Sequence, residues 1–209
     1  MQAIDYLNYI VDEIHSTVFA TVDQGGRPVT CAIDMMDCDE NRLYFLTAKG
    51  KSFYRRLKQN AYVAFTAMKG EDTMSRVAVS VRGRAEELGP ERLPALFAQN
   101  PYMAKIYPDE ASRSALTVFR ICEGTGEWFD LSKMPVERAS FSLGGAAEPD
   151  NGYFVTDRCI GCKLCYAKCP QKCLDITRKP VVIRQENCLH CGNCYEVCPT
   201  RAVERRSAV

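Results

Sequence analysis

The 209-residue sequence predicts a mainly β N-terminal barrel with flanking helices, followed by a small α+β domain organised by cysteines. Three observations lead there. Six or seven short segments rich in Val, Thr, Phe and Tyr run between residues 17 and 131, separated by Gly, Asp, Asn or Pro, which is strand chemistry. Few stretches carry helical periodicity, so these strands form a closed or partly closed barrel that buries their apolar sides. Eight of the 12 cysteines then fall in two tight runs, at 159–169 and 188–198.

The elements follow in order. "AIDYLNYIVDEI" spaces Ile4, Leu7, Ile10, Val11 and Ile14 three and four apart, which predicts an amphipathic helix with one buried face. Strands are predicted in "TVFATVD", "PVTCAIDMM", "RLYFLTA", "AYVAFTAM", "SRVAVSVRGRAEE", "SALTVFRICE" and "GEWFDL", with "DQGGRP" turning between the first two. A second helix is predicted in "KSFYRRLKQN". A third falls within "GPERLPALFAQNPYMAKIY", where Pro90 and Pro94 suit early helical positions and Pro101 a break. Residues 142–152, "SLGGAAEPDNG", have no periodicity and read as a linker. The domain division is therefore 1–141, a linker at 142–152, and 153–209.

Composition narrows the class. With 46% apolar and 25% charged residues the chain is that of a globular protein. It shows no apolar run of about 18 residues and no early basic cluster, which predicts a cytoplasmic protein without a membrane span. On such a chain tightly spaced cysteines favour metal ligation over disulfides. Residues 151–209 carry ten Lys and Arg against five Asp and Glu, a surplus that could attract nucleic acid. Iron–sulfur clusters at roughly −2 each would cancel most of it, so no nucleic-acid partner is expected.

Cys159, Cys162, Cys165 and Cys169 precede Pro170, and Cys188, Cys191, Cys194 and Cys198 precede Pro199. All four pairs are 29 residues apart, and Tyr166 matches Tyr195. Three thiolates with two residues between successive ones can curl around one face of a cubane while the intervening amides point at its sulfurs. Zinc modules usually bring separated pairs to one tetrahedron instead. The duplication resembles the bacterial two-cluster ferredoxins, in which the fourth cysteine of each run ligates the other cluster. The resemblance implies two [4Fe-4S] clusters, one held by Cys159, Cys162, Cys165 and Cys198, the other by Cys188, Cys191, Cys194 and Cys169. Cys173, whose counterpart is Ala202, is expected to take no ligand role. Cys31, Cys38 and Cys122 lack metal spacing, and His190 either tunes its cluster or is solvated.

In the first domain "TAKGKS" offers the Thr47 and Ser52 hydroxyls, the Gly50 backbone, and Lys49 and Lys51 at a helix start, which suits a phosphate. From "FATVDQGGRPVTCAIDMM" through "NRLYFLTAKGKSFYRRLKQNAYVAF" to "GTGEWFDL" the sequence resembles the FMN-binding split barrels typified by pyridoxamine 5'-phosphate oxidase. The resemblance implies a split β-barrel joined to a ferredoxin-like two-cluster domain. It also implies FMN held by Thr30, Cys31, Ala32, Leu46, Thr47, Lys49, Lys51 and Ser52, and a homodimer through the barrel in which Trp128 covers the partner's flavin unless it is simply core. The chain departs from the oxidases at its carboxyl end, so pyridoxamine phosphate oxidation is not expected. The reading is a flavin and iron–sulfur oxidoreductase of an anaerobe, exchanging electrons between FMN and two clusters and with a redox protein or small-molecule donor or acceptor. The alternative is an electron carrier or redox-responsive binding module without substrate turnover.

Overall fold

The apolar spacing of residues 4–14 does produce a helix, though not a uniform one. Its first part, α1 (Ala3–Asn8), passes into a wider π-helical turn over Tyr9–Ile14 and ends at His15, whose φ is +66°. Leu7 and Ile10 are fully buried, and Tyr6 stacks on Phe141 with ring centres 4.8 Å apart. The face the sequence marked as apolar is the one that packs.

The computed structural model describes residues 1–206. One compact unit comprises Met1–Lys69, Ala78–Gly126 and Phe141–Ala147. The other comprises Gly70–Val77, Glu127–Ser140 and the chain from Glu148 onward. Two stretches from within the sequence-assigned barrel domain thus belong to the second unit.

One sheet, most of it in the first unit, is built by β1 (Ser16–Val22), β2 (Pro28–Asp34), β3 (Asp37–Asp39), β4 (Arg42–Ala48), β5 (Tyr62–Lys69), β6 (Val77–Gly89), β7 (Leu116–Asp130) and β8 (Glu137–Leu143). Their order is β2-β1-β5-β6-β7-β4-β3, with β8 on β7. Neighbours β1–β2, β1–β5, β3–β4 and β4–β7 are antiparallel, and the fold is a split β-barrel. Alternation is strict along β1, where Thr17, Phe19 and Thr21 are buried between more exposed residues. The interior is aromatic. Phe19 lies 5.0 Å from both Phe45 and Phe65, and Phe45 stacks on Phe119 at 5.5 Å. Burial of each such ring contributes on the order of 2–3 kcal/mol.

Helix α2 (Ser52–Gln59) inserts Phe53 and Leu57 against this core, with Phe53 5.8 Å from Phe19. Glu87 fixes the outer side of the helix. It accepts from Lys58 Nζ at 2.9 Å, Tyr54 Oη at 3.3 Å and Thr117 Oγ1 at 2.8 Å. Burial pushes its carboxyl up, but these donors outweigh burial and hold it below the ordinary range. The third helical stretch divides at proline. Pro94 sits in the first turn of α3 (Leu93–Gln99), and Pro101 opens a 3-10 turn over Pro101–Lys105. A short α4 (Glu110–Arg113) follows, capped by Asp109.

Two departures from the sequence reading concern the end of the barrel. "SALTVFRICE" and "GEWFDL" are one strand, β7, and "ERASFSL" supplies an eighth, β8. Only Phe141 and Leu143 of β8 are buried, too weak a pattern to stand out beside the apolar strands. Ser142 and Leu143 therefore lie in a strand, and the stretch without regular structure is 146–151.

The second unit pairs β9 (Gly152–Val155) with a final strand and encloses a short hairpin. Its elements are α5 (Leu164–Lys168), β10 (Leu174–Asp175), β11 (Val182–Ile183), α6 (Asn193–Glu196) and β12 (Val203–Arg206). Strands β9 and β12 are antiparallel, as are β10 and β11. The core is small: Tyr153, Leu174, Val181, Ile183 and Val203, packed with buried cysteines. The 127–140 stretch is tied in by Val136, whose N–H donates to Gln171 Oε1 at 3.1 Å and whose carbonyl accepts from Asn187 Nδ2 at 3.0 Å. Among the described residues no helix is long and apolar enough to cross a membrane.

Gly126 offers a sharp packing test, because a Cβ there would overlap the end of the Phe141 ring, 2.1 Å from its Cζ. Gly126→Ala is expected to destabilise the barrel by about 1–3 kcal/mol, read by thermal unfolding followed by circular dichroism. Adding Phe141→Leu should return part of that loss. Unchanged unfolding of Gly126→Ala would show that the ring is not held as described.

Candidate cofactor sites

The repeated sequence folds into a repeated backbone. Positive φ recurs at Gly161 and His190, at Lys163 and Gly192, and at Lys172 and Arg201, each pair 29 residues apart. A left-handed residue among right-handed ones turns successive amides toward one point and makes an anion-binding nest. Each run of three cysteines is therefore wrapped by inward-pointing N–H groups. Gly supplies this conformation without cost at 161 and 192, whereas Lys163 and His190 adopt it against their side chains.

Two small cavities result. The first is lined by Cys159, Cys162 and Cys165 of the first run together with Cys198, the last cysteine of the second. Around the other stand Cys188, Cys191 and Cys194, joined by Cys169 from the first run. Among the described residues no three Cys, His, Asp or Glu converge closely enough to hold a single metal ion. The sulfurs stand around a space, as ligands at the corners of a polynuclear centre do. In donor type and in grouping the residues fit two four-iron clusters with exchanged fourth ligands.

The final cysteines sit in matched surroundings. Cys198 Sγ accepts from the Ala202 amide at 3.2 Å, and this bond with others from Thr200 and Val203 outweighs burial to hold the thiol below its ordinary range. Cys173, at the position matching Ala202, is 3% exposed and lines the second cavity, with its Sγ 3.6 Å from Cys169 Sγ. A hydrogen bond to Cys188, burial and a hydrogen bond to Cys169 raise the Cys173 thiol, while its donation to Cys188 lowers that group. The repeat comparison alone presents Cys173 as a packing residue; its closeness to two expected ligands emerges only in three dimensions. His190 is half-buried, edge-on to Tyr153, and burial lowers its pKa, aided by Arg138.

On the barrel, the "TAKGKS" residues separate into distinct settings. Lys51 and Ser52 are exposed at the start of α2, where the first amides have no intrahelical acceptor. One turn on, Arg56 lies half-buried with Nε donating to Thr21 Oγ1 at 2.7 Å. Burial raises the Cys31 thiol, and Arg56 and Lys51 oppose that rise, so both cations face Cys31. The sequence reading passed over Arg56; its signal was position, four residues after Ser52 on the same helical face. Lys51, Ser52 and Arg56 form a donor set that fits a phosphate.

Other expected flavin contacts lie elsewhere. Pleating puts Thr30 and Ala32 on the exposed side of β2 and Cys31 on the opposite one, beside Arg56. Leu46 packs with Met36, Tyr44 and Leu96. Thr47 is 2% exposed, and its Oγ1 is buried without a hydrogen-bond partner. Lys49 is exposed, and its amide donates to Ala115 O at 2.9 Å. A Cβ on Gly50 would meet nothing, so no close approach within the chain requires that glycine. Trp128 is buried and falls in the second unit. The exposed sheet side carries Val18, 52% exposed, paired with Ala32 and Thr66 across its two neighbours, and Met68 two residues further on.

A split barrel with a cationic helix start, joined to eight cysteines grouped as two sets of four, defines a two-module redox protein. The sequence profile described as pyridoxamine 5'-phosphate oxidase matches residues 5–128, more than half of the chain, and the chain belongs to that family. The profile of a 4Fe-4S dicluster domain matches residues 158–202. Together they give the chain an FMN-binding fold, a 4Fe-4S domain and a redox role. Among solved structures, a NimC/NimA family protein of Clostridium acetobutylicum is 18% identical, with a TM-score of 0.54, over 68% of this chain and 90% of its own. A protein from the same organism related to general stress protein 26, of the pyridoxinephosphate oxidase family, is 17% identical over 66% and 92%, at 0.52. A pyridoxamine 5'-phosphate oxidase-related, FMN-binding protein of Nostoc punctiforme is 11% identical over 68% and 94%, at 0.50. These likenesses establish the fold. No curated protein matches the chain.

Two substitution series follow. Because Cys173 Sγ stands so close to Cys169 Sγ, the crossover is tested with both replaced. Cys169→Ala with Cys173→Ala should alter the electron paramagnetic resonance signal of one cluster only, and Cys198→Ala that of the other. Cys173→Ala alone should keep about eight irons per chain. Identical spectral changes from Cys169 and Cys198 replacement would contradict the exchange. On the barrel, Lys51→Ala with Arg56→Ala should weaken FMN retention by at least about tenfold, the loss of one charge-assisted contact, with iron content constant. FMN retained at wild-type affinity would remove the helix start as its anchor.

Proposed function

We propose that the chain is a flavin and iron–sulfur oxidoreductase that exchanges electrons between FMN on the barrel and two [4Fe-4S] clusters in the second unit. The observation that carries this reading is the exchange of the fourth cysteine, Cys198 to one cavity and Cys169 to the other. When bound, FMN handles electrons singly or in pairs and the clusters handle them singly. Lys51, Ser52 and Arg56 would anchor the FMN phosphate, and the eight cysteines would hold the iron. The amides around Cys198 and the Cys173 thiol donate hydrogen bonds to ligand sulfurs, which stabilises their charged form and tunes a cluster through its thiolates. The family's FMN-binding fold and the solved FMN-binding barrel support the flavin.

The same reading makes the protein a homodimer in the cytoplasm of an anaerobe. Val18, Ala32 and Met68 lie on an exposed sheet side that a second copy would cover. Exposed low-potential clusters call for low oxygen.

Anaerobic purification followed by absorbance spectroscopy tests the function. Expected are a flavin band beside the broad iron–sulfur absorption, both bleaching when one reducing equivalent at a time is added. Clusters without flavin, or a flavin band that stays unchanged as the clusters are reduced, would leave a carrier or redox-responsive module instead. Light scattering should give twice the 23.5 kDa chain mass; a monomer that retains flavin would remove the dimer.

A further inference from the structure

The two cluster cavities have the same backbone and the same four ligands, so differences between their rims measure what each rim is for. At the cavity of Cys159, Cys162, Cys165 and Cys198, the residues between ligands are Ile160, Lys163 and Leu164. Ile160 is 57% exposed and Leu164 45%. Lys163 is also exposed, and the Lys179 stem passes 3.8 Å from where a Cβ on Gly161 would stand. The matching positions at the other cavity are Leu189, Gly192 and Asn193, with Leu189 half-buried. Between the first pair of ligands and the third, the first cavity thus has Lys163 where the second has Gly192.

Two exposed apolar side chains beside ligands are unexpected on a surface without a task. The side of the second cavity is, moreover, engaged by its own chain: Asn187, next to Cys188, holds the Val136 carbonyl, and Arg138 bears on His190. The first cavity keeps an apolar centre with a cationic rim, the anatomy of a weak, electrostatically steered protein contact.

We propose that the Ile160–Leu164 edge is the docking surface for an acidic one-electron carrier protein, and that the cluster of Cys159, Cys162, Cys165 and Cys198 is the one that exchanges electrons with it. The step is minimal. One electron leaves the reduced centre and enters the oxidised carrier, and no bond forms or breaks. A partner seated on Ile160 and Leu164 lies against residues that line the cavity, so the transfer distance is short. Lys163 and Lys179 draw the acidic partner in and orient it. The inference rests on the reading that this cavity holds a cluster.

The test uses the intact, iron-loaded protein, reduced and mixed anaerobically in a stopped-flow instrument with an oxidised acidic flavodoxin as probe. A basic cytochrome c serves as the opposite-charge probe. Transfer to flavodoxin should slow as salt rises from about 0.05 to about 0.5 M, and transfer to cytochrome c should not slow. Lys163→Glu with Lys179→Glu should slow flavodoxin reduction by about tenfold or more, while Asn193→Glu at the other cavity stays within about twofold. Iron content is measured on every sample. Wild-type protein without about eight irons would overturn the cluster reading itself. With the iron present, salt-independent transfer, or equal slowing by the Asn193 variant, would overturn the docking surface alone.

Discussion

Everything in the second unit depends on bringing eight cysteine sulfurs around two spaces with a chain too short to do so by apolar burial. Around the cavities its core is a handful of side chains, Tyr153, Leu174, Val181, Ile183 and Val203, packed with the buried Cys169, Cys173, Cys188 and Cys194. Below about 80 residues a single core rarely supplies enough stability by itself, and an inorganic staple makes up the difference. The exchange of Cys169 and Cys198 makes that staple cooperative, because each cavity draws its fourth sulfur from the other repeat. Neither half can complete its ligand set alone. Metal binding and folding are then one equilibrium, and the hydrogen bond from Ala202 to Cys198 belongs to both.

The barrel answers a different constraint. Its stacked phenylalanines need no cofactor to close, and α2 is fastened on both sides, by Phe53 within and by Glu87 without. That rigidity places Lys51, Ser52 and Arg56 at one helix start with Cys31 beside them. An anion bound there meets preset donors, which lowers the ordering cost of binding. Fold and cofactor are thus separable in the first unit and inseparable in the second.

Legibility in the sequence follows the range of the interactions. Ligand spacing is local, so the cysteine doublet announced both runs, and the resemblance it carried supplied the exchanged partners that line the two cavities. The six or seven strands were visible because Val, Thr and Phe alternate along them. What escaped depends on distant pairing. Strand β8 is recognised by its place on β7 rather than by its Ser- and Arg-containing sequence. Residues 127–140 join the second unit through Val136, Gln171 and Asn187, none of them conspicuous in composition. Arg56 was one basic residue among several until its neighbour proved to be Cys31, and the opposite faces of Thr30 and Cys31 follow from a pleat that a family resemblance does not resolve.

The central claim, that two four-iron clusters share their ligands across the repeat, is tested most directly by anomalous diffraction at the iron edge from crystals of anaerobically prepared protein. The account predicts two four-iron peaks, one bonded to Cys159, Cys162, Cys165 and Cys198, the other to Cys188, Cys191, Cys194 and Cys169. Two clusters each held by a contiguous run, with Cys169 on the first and Cys198 on the second, would contradict it, as would single metal ions in place of clusters.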